Sequence, residues 1–376
     1  MGNYLVIVSN GMKVYRPSAV NVVPEYDKLA KTWKISDAQV ELKSSDAGIQ
    51  KKVVVGTEQA DNSQTAIGST VKFEVKADVP VFPTNATTKK FVISDDFSAG
   101  LTFNSTSIAV YGIKSDDNSE VALTKDTEYT VADKRIDGAT TADFVLDFDY
   151  SKISNYKQIV VTYTATLNGD AVIGNAGNLN TAHLEYSNNP YDGSTYKSYD
   201  DTAKVYTYGF DLTKVAKGTN TVLTGAQFTL SKNTDGTTDA IKFVKTATGE
   251  YRVATADDAD TTTTLEATDG TVKIEGLGLG KYYLKETKAP EEYNVQKEPF
   301  ELSIQDTNDD FVAEGADGTA YADGFVKVSI ENGKGFELPK TGGMGTVLFT
   351  VGGIALVVLG AAMIVIIRKR SKREAE

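Results

Sequence analysis

The sequence predicts an all-β protein, with tandem β-sandwich domains followed by a single C-terminal transmembrane helix. Short runs in which apolar and polar residues alternate, such as TVKFEVKADV and QIVVTYTATL, recur between turns rich in Gly, Asp and Asn. This period of two is typical of sandwich strands, and no run keeps the 3.6-residue period of an amphipathic helix. Residues 344–367 do not follow the strand pattern. These 24 consecutive residues carry no charge and can cross a hydrocarbon core of about 30 Å as a helix.

The composition excludes several classes of function. The formal net charge is −12, so nucleic acid and anionic lipid are poor partners. The chain has no cysteine, which rules out disulfides, thiolate metal sites and a cysteine nucleophile. Its one histidine, His183, alternates with Ala182 and Leu184 and is expected on the exposed face of a strand, which disfavours a Ser-His-Asp hydrolase. We expect no cofactor and no bound metal.

Residues 1–46 are interpreted as the remnant of an N-terminal domain and a linker. The start, MGNYLVIVSNGMKVY, holds only a short apolar run with no basic segment before it, which is unlike a signal peptide. Asn10-Gly11 instead predicts a hairpin turn. Because two strands do not make a stable domain alone, we expect the chain to begin inside a domain whose first half, with the signal peptide, lies upstream. The alternative is an atypical signal peptide.

Residues 47–207 and 208–336 are predicted as two sandwich domains, and both place polar residues in strand rows that should be apolar. Successive strand residues alternate between faces, so a polar residue two positions from buried apolar residues shares their face. In the first domain these inward polar residues are Lys51, Asp95 and Asn188, with Lys52, Asp96 and Asn189 as second choices. In the second domain they are Lys214, Glu286 and Asn332. A strand-end polar group that turns to water is the alternative for each, but the same three types recur in the same order.

A lysine, a carboxylic acid and a carboxamide that are buried together can form a covalent bond. Burial lowers the pKa of the lysine and raises the pKa of the acid, so a proton transfer between them leaves a neutral amine beside a neutral acid. The neutral amine is a nucleophile that can attack the amide carbon. The acid polarises the carbonyl oxygen and shuttles protons until ammonia leaves. The product is an uncharged amide between two strands, and its formation needs no redox chemistry.

Residues 337–376 contain LPKTGG, the apolar segment and the basic tail RKRSKRE. The basic residues are expected on the cytoplasmic side, so the body of the chain faces outward. Pro339 keeps Leu338 extended and Gly342 keeps the backbone open, which leaves the peptide bond after Thr341 accessible. A plain membrane anchor is the alternative. The three-part pattern resembles the cell-wall sorting signal of Gram-positive surface proteins, which implies that a sortase cleaves between Thr341 and Gly342 and joins Thr341 to an amine.

The two predicted domains resemble those of sortase-assembled pilins. FDLTKVAKGTNTVLTGAQFTLSK, YYLKETKAP and VSIENGKGFELPKTGG are similar to the C-terminal Ig-like domain named for the collagen-adhesin B repeats. TVKFEVKADVP, ISDDFSAGLTFN and EYSNNP are similar to the preceding isopeptide-forming pilin domain, and the two domains together resemble tandem Ig-like domains of collagen-adhesin A/B type. The resemblance implies two intramolecular bonds, Lys214 to Asn332 with Glu286 catalytic, and Lys51 to Asn188 with Asp95 catalytic.

A pilus shaft also needs a lysine that accepts the threonine of the next subunit. In the pilin family this lysine usually lies in a Tyr-Pro-Lys motif at the end of the N-terminal domain. The corresponding stretch, VNVVPEYDKLAK, does not keep that motif intact. Lys28 is the nearest candidate, followed by Lys31 and Lys34, although an ordinary solvated lysine is the stronger interpretation of each.

The sequence therefore predicts an extracellular structural protein, a subunit of a covalent surface pilus that is attached to the cell wall after a transient membrane stage. Its expected partners are a sortase, further pilin subunits in a covalent homopolymer, and peptidoglycan, with a host surface left open. The alternative is a singly wall-anchored adhesin that uses the same domains as a stalk. An enzyme that acts on other molecules is disfavoured, because the trios of polar residues react only with the protein itself.

Overall fold

The computed structural model describes residues 2–35, 37–139 and 142–334. Within these residues the protein is built almost entirely from strands, and the one helix described is the short α1 (Tyr150–Ile153). The all-β prediction is therefore confirmed. No helix in this part of the chain has the length and hydrophobicity needed to cross a bilayer. LPKTGG, the predicted transmembrane helix and the basic tail lie outside the described residues.

The first 45 residues contain three antiparallel pairs of short strands. These strands are β1 (Gly2–Val6), β2 (Val14–Tyr15), β3 (Ser18–Val22), β4 (Pro24–Asp27), β5 (Thr32–Ile35) and β6 (Ser44–Ser45). β1 pairs with β3, β2 with β6, and β4 with β5. The predicted hairpin at Asn10-Gly11 is wrong, because β1 and β3 enclose a wider loop and neither residue has the positive φ of a two-residue hairpin turn.

The first sandwich consists of two six-stranded sheets that enclose an apolar core. One sheet has the order β13-β12-β16-β10-β7-β8 and the other the order β14-β15-β11-β17-β18-β9. The strands are β7 (Ile49–Val55), β8 (Glu58–Ala60), β9 (Asn62–Gln64), β10 (Thr70–Asp78), β11 (Phe91–Phe97), β12 (Leu101–Lys114), β13 (Glu120–Ala122), β14 (Tyr129–Val131), β15 (Phe144–Phe148), β16 (Tyr156–Leu167), β17 (Asn178–Tyr186) and β18 (Lys197–Tyr206). Alternation decides which face is buried: in β10, Val71 and Phe73 lie in the core while Lys72 between them is exposed.

The second sandwich has a five-stranded sheet, β21-β22-β24-β19-β29, and a four-stranded sheet, β23-β20-β25-β26, with β27 and β28 as a separate pair. Its strands are β19 (Tyr208–Ala216), β20 (Ala226–Ser231), β21 (Phe243–Ala247), β22 (Glu250–Val253), β23 (Leu265–Ala267), β24 (Thr271–Leu277), β25 (Gly280–Lys288), β26 (Phe300–Ile304), β27 (Ala313–Glu314), β28 (Ala320–Tyr321) and β29 (Phe325–Asn332). The first strand, β19, and the last strand, β29, are parallel neighbours. The beginning and the end of this sandwich are therefore held side by side.

The two sandwiches meet without a linker. Thr207 alone separates β18 from β19, and the backbone N–H of Ile67 in the first sandwich donates to the carbonyl oxygen of Gly276 in the second, at 2.9 Å. Gly276 has a φ of +88°, and a Cβ there would lie 2.4 Å from Cδ1 of Ile67. Glycine is thus required both by the backbone conformation and by the close approach of the neighbouring domain.

Candidate cross-linking sites

The fold brings the three predicted residues of the second sandwich together. Lys214 lies on β19, Glu286 on β25 and Asn332 at the end of β29. In the parallel register of β19 and β29, Asn332 stands opposite Ala216, two residues after Lys214. Because two residues make one full alternation, the side chains of Lys214 and Asn332 enter the core from the same face. Glu286 reaches them from the opposing sheet.

The geometry of this trio places an amine against an amide. Lys214 Nζ lies 2.5 Å from Asn332 Oδ1 and 3.3 Å from Glu286 Oε1. Asn332 Nδ2 donates to both Glu286 oxygens, at 2.9 and 3.0 Å. All three residues are at most 2% exposed. The carboxyl group therefore touches both the nucleophile and the nitrogen that would leave.

The surroundings of the trio favour the neutral amine. Burial lowers the pKa of Lys214 below its ordinary value, against the opposing effect of the Glu286 carboxylate. The rings of Phe228 and Phe300 lie 5.7 and 5.8 Å from Lys214 Nζ. The carboxyl group is itself positioned, because the backbone N–H of Gln296 donates to Glu286 Oε2 at 2.7 Å. The trio thus meets the requirements of a nucleophile, an electrophile and a proton carrier in one dry site.

In the first sandwich the fold brings two of the three predicted residues together. Lys51 on β7 donates to Asp95 on β11, with 2.5 Å between Nζ and Oδ2, and both side chains are fully buried. Burial lowers the pKa of Lys51 to about 8 and raises the pKa of Asp95 to about 6. A proton transfer that yields a neutral amine and a neutral acid is accordingly easier here than in water.

Asn188 does not lie beside this pair, so its predicted role as the amide partner of Lys51 is not supported. It follows the end of β17, where its Nδ2 donates to the carbonyl oxygen of Gly11, at 3.1 Å. The carboxamide at the site belongs to Asn180, which is fully buried near the start of β17. Its Nδ2 lies 3.4 Å from the hydroxyl oxygen of Tyr163. That hydroxyl is in turn 2.6 Å from Lys51 Nζ and 2.6 Å from Asp95 Oδ2.

Strand alternation could have found Asn180 but could not have chosen it. Asn180 and Asn188 are eight positions apart and therefore share a face, and only the pairing of β17 with its neighbours decides which one meets Lys51. In that pairing Asp95 stands opposite Ala182, next to Asn180 on the inward row. Tyr163 gave no separate signal in the sequence, since a buried tyrosine in β16 fits an ordinary core position.

The second-choice residues all lie outside the core site. Lys52 forms an ion pair with Asp61 at the surface. Asp96 accepts from His183 on the outer face of its sheet, with 3.0 Å between Oδ2 and Nε2. Asn189 accepts from the backbone N–H of Tyr191, at 3.2 Å, in the loop after β17.

His183 occupies the outer face of its strand, as predicted, but it is less exposed than predicted. It is 9% exposed and is held between Asp96 and Asp200, with 2.7 Å between Nδ1 and the Asp200 carboxylate. Arg135, which lies 3.7 Å from Asp96, covers the same face. The histidine therefore belongs to a network of polar side chains on the outer face of this sheet.

The candidate attachment lysines lie at the tip of the β4–β5 ribbon. Lys28 and Lys31 are exposed in the turn. Lys34 on β5 forms an ion pair with Asp27, with 2.7 Å between Nζ and Oδ2. The predicted sortase residues Leu338, Pro339, Thr341 and Gly342 lie outside the described part of the chain.

Comparison with known proteins shows which protein families the parts of this chain match. The family models that match are the Gram-positive pilin backbone subunit 2, Cna-B-like domain, over residues 67–190, the prealbumin-like fold domain, over residues 209–318, and the LPXTG cell wall anchor motif, over residues 330–375. The trypsin-resistant surface T6 protein of Streptococcus pyogenes serotype M6 is 29% identical over 276 residues. The chain is homologous to Gram-positive backbone pilins. The predicted resemblance is confirmed, and the anchor motif with these pilin homologues supports an extracellular, cell-wall-anchored location.

The relatives known from sequence are longer than the region they share with this pilin homologue. The T6 alignment covers 69% of this chain and 46% of the T6 protein. Fimbrial subunit type 1 of Actinomyces viscosus is 38% identical over 89 residues, which cover 24% of this chain and 15% of that protein. The chain thus spans about half the length of the T6 protein and a smaller part of the fimbrial subunit.

Solved pilin structures share the fold. The T6 backbone pilin of Streptococcus pyogenes serotype M6 superposes with a TM-score of 0.60 at 21% identity, covering 88% of this chain and 80% of that one. The pilus 2b backbone protein of group B streptococcus superposes with a TM-score of 0.56 at 23% identity, covering 77% of this chain and 99% of that one. At these identities the likeness establishes the tandem all-β architecture.

Proposed function

We propose that the chain is the structural backbone subunit of a covalent surface pilus, stabilised by two self-generated Lys–Asn isopeptide bonds. After export, a sortase cleaves it after Thr341 and joins that threonine to a lysine of the next subunit or to the cell wall. The observation that carries the proposal is the buried trio of Lys214, Glu286 and Asn332, together with the anchor motif that follows it. A covalent bond between the first and last strands of a domain resists pulling, which is the load that a thin fibre must carry.

The bond in the second sandwich forms by a balanced substitution. Lys214 first gives a proton to Glu286, and the neutral Nζ attacks Cγ of Asn332. The new Nζ–Cγ bond replaces the Cγ–Nδ2 bond, and Nδ2 takes up a proton and leaves as ammonia. Glu286 is placed to move that proton, since its oxygens contact Nδ2 at 2.9 and 3.0 Å. The trio of Lys214, Glu286 and Asn332 reacts once with its own chain, so the protein is not an enzyme in the usual sense.

In the first sandwich the proposed bond joins Lys51 to Asn180, with Asp95 as the acid. Asn180 replaces Asn188 in this proposal, because Asn180 shares the buried hydrogen-bonded cluster with Lys51 and Asp95. Asn188 is held at the far end of the strand by the N-terminal loop. Both proposed bonds convert a buried ammonium and a carboxamide into one neutral amide, which removes the cost of burying a charge.

The proposed bond in the second sandwich would change how that domain resists unfolding. It closes a loop of 118 residues between Lys214 and Asn332, and the chain-entropy model for cross-links gives a stabilisation of about 4 to 5 kcal/mol for such a loop. Since β19 and β29 are the first and last strands, a pulling force passes from one to the other through the amide. The hydrogen bonds of the sandwich then carry little of the load.

The intact mass of the mature region, residues 1–341, tests the two bonds. We expect a deficit of two ammonia molecules relative to the sequence. Lys214→Ala and Lys51→Ala should each restore one, and the double variant should restore both. A wild-type mass equal to the sequence mass would contradict the isopeptide proposal.

Sortase-dependent ladders on denaturing gels test the proposed polymer. Lys28 is the proposed acceptor, because it is the exposed lysine nearest to Pro24, where the family motif would lie, while Lys34 is engaged by Asp27. Lys28→Arg should abolish the ladder, and Lys31→Arg and Lys34→Arg are the matched controls. A wall extract that holds only monomer would favour the alternative, a singly anchored adhesin.

A further inference from the structure

We propose that Tyr163 is a further catalytic residue in the first sandwich, and that its hydroxyl passes the proton that lets Asn180 Nδ2 leave as ammonia. This inference rests on the proposed isopeptide bond between Lys51 and Asn180. It gives a role in bond formation to a side chain that the sequence identifies only as part of the core.

The position of the Tyr163 hydroxyl is the first observation. Its oxygen accepts from Lys51 Nζ at 2.6 Å and donates to Asp95 Oδ2 at 2.6 Å. The same oxygen lies 3.4 Å from Asn180 Nδ2. One buried oxygen therefore contacts the nucleophile, the acid and the nitrogen that leaves, and all four residues are at most 1% exposed.

The contrast with the second sandwich is the other observation. There both oxygens of Glu286 contact the leaving nitrogen of Asn332 directly. In the described part of the first sandwich, no hydrogen bond joins Asp95 to Asn180, and neither Asp95 Oδ1 nor Asn180 Oδ1 has a hydrogen-bond partner. Aspartate is one methylene shorter than glutamate, so its carboxyl group stops short of the amide. The Tyr163 hydroxyl fills the space between them.

The proton transfers balance with this hydroxyl as the bridge. Lys51 gives a proton to Asp95, and Nζ attacks Cγ of Asn180. Asp95 then donates to the Tyr163 oxygen while Tyr163 gives its own proton to Nδ2, which leaves as ammonia when the Cγ–Nδ2 bond breaks. A second proton from Nζ returns to Asp95. The products are a neutral amide, ammonia and a neutral acid, and Tyr163 ends as the hydroxyl with which it began.

The setting keeps the Tyr163 proton available and its ring fixed. Burial and the neighbouring Asp95 carboxylate raise the pKa of Tyr163 well above its ordinary value, so the hydroxyl stays protonated. The ring packs against Phe73 and Phe144, with centroid distances of 5.7 and 5.1 Å. Phenylalanine would keep these ring contacts and remove only the hydroxyl.

The experiment follows bond formation in the full chain after a pulse of cell-free synthesis. Digests taken over time are analysed by mass spectrometry for two branched peptides, one joining Lys51 to Asn180 and one joining Lys214 to Asn332. We expect Tyr163→Phe to slow the first linkage by about a hundredfold, within the range of general acid catalysis, and to leave the second unchanged. Tyr186→Phe is the matched control, since it removes another buried hydroxyl from the same sandwich.

The outcomes separate this inference from the proposed function. A wild-type chain without the Lys51–Asn180 peptide contradicts the proposed bond and the role of Tyr163 with it. A wild-type chain with that peptide, and an unchanged rate in Tyr163→Phe, overturns the role of Tyr163 alone. If Tyr163→Phe does not fold by circular dichroism, 3,5-difluorotyrosine at position 163 decides. It keeps the hydroxyl but makes it more acidic, so a rate equal to wild type overturns the proposal.

Discussion

At the scale of single residues, Glu286 holds the second site together by contacts to three different groups. It touches Asn332 Nδ2 and Lys214 Nζ and accepts from the backbone N–H of Gln296. Glutamine at this position keeps the size of the side chain but cannot accept and release a proton at neutral pH. A glutamine substitution at position 286 therefore tests proton transfer while the shape of the site is kept.

Glu286→Gln should leave a folded second sandwich without its cross-link. We expect the intact mass to rise by one ammonia relative to wild type, apart from the substitution itself, and the free energy of unfolding to fall by about 4 kcal/mol. Trypsin should then cut the domain faster. Glu301→Gln, at an exposed position on β26, should change none of these. Equal trypsin resistance of Glu286→Gln and wild type would count against the mechanism.

When no bond forms, the buried pair Lys51 and Asp95 should determine how the stability of the first sandwich depends on pH. In Asn180→Ala, Lys51 and Asp95 stay ionisable. From pH about 8 to 10.5, the unfolded chain binds a lysine proton that the folded domain has released, so stability rises with pH. From pH 3.8 to about 6, the folded domain binds the extra proton on Asp95, so stability falls as pH rises.

We therefore expect a minimum of stability between pH 6 and 8 in Asn180→Ala, with a rise of about 3 kcal/mol on either side. Urea unfolding at a series of pH values measures it. The control adds Lys51→Met and Asp95→Asn to the same variant, which removes both titrating groups. The minimum in the free energy of unfolding between pH 6 and 8 should then disappear. Parallel pH profiles for the two proteins would contradict the assigned pKa shifts.

The inward face of each residue could be predicted from the sequence, whereas its neighbour across the core could not. Alternation preferred Lys51 to Lys52 and Asp95 to Asp96, and the structure places Lys51 and Asp95 in the core. It failed for the amide, because Asn178, Asn180 and Asn188 have the same parity and the sequence does not reveal the register of β17. The N-terminal loop that holds Asn188 is equally invisible to a count of alternating residues.

At the scale of elements, the pairing of β19 with its two neighbours aligns the second site. Gly209 lies where β19 pairs with β24, and a Cβ there would fall 2.0 Å from the carbonyl oxygen of Ile274 and 2.8 Å from the Phe325 ring on β29. No rotamer change relieves a clash with backbone. Any larger residue must therefore move β19 relative to one neighbour or both.

Gly209→Ala should destabilise the second sandwich by about 1 to 3 kcal/mol, the usual cost of overpacking. The measurement is urea unfolding in the Lys214→Ala background, where no bond hides the effect. Gly333→Ala is the control, because nothing lies within 4 Å of a Cβ added there. Unfolding curves that coincide for the two variants would show that β19 and β24 are not in close contact at Gly209.

The strands themselves were predictable as elements, but not every pairing between them. Period-two runs such as TVKFEVKADV correspond to β10, since burial of one face leaves a clear pattern. The Asn10-Gly11 hairpin failed for the opposite reason. The strands around it are mostly exposed, so the sequence there carries little information about which strand pairs with which.

At the scale of the whole molecule, the two proposed bonds divide the chain into closed and open parts. Residues 51–180 and 214–332 each lie within a ring closed by an amide. The stretch between them, residues 181–213, is 33 residues long (213 − 181 + 1) and lies in neither ring. It holds the rest of β17, all of β18 and the first part of β19. In the first sandwich the last strand is therefore outside the covalent loop, unlike β29 in the second.

Pulling on the two ends of one molecule should show this division. In a single-molecule force–extension measurement, we expect unfolding of Lys214→Ala to be about 400 Å longer than unfolding of wild type. This is the extended length of the 118 residues that the bond no longer holds. Lys217→Ala, at an exposed position after β19, is the matched control and should pull like wild type. Identical traces for wild type and Lys214→Ala would mean that the force does not pass through the proposed bond.

The two rings also determine what a single proteolytic cut can do to a fibre. A cut within residues 51–180 or 214–332 opens a ring and leaves the subunit in one piece. Only a cut in residues 181–213 severs the covalent path between the rings, and most of that stretch is strand. In its longest loop, residues 187–196, the first four residues are buried and exposure is confined to Gly193, Ser194 and Tyr196. Between the two rings, the resistance of a pilus to proteases would then depend on four exposed residues per subunit, these three and Asp200. Residues 29–50 and 333–341 are the other parts of the proposed fibre's covalent path that lie outside both rings.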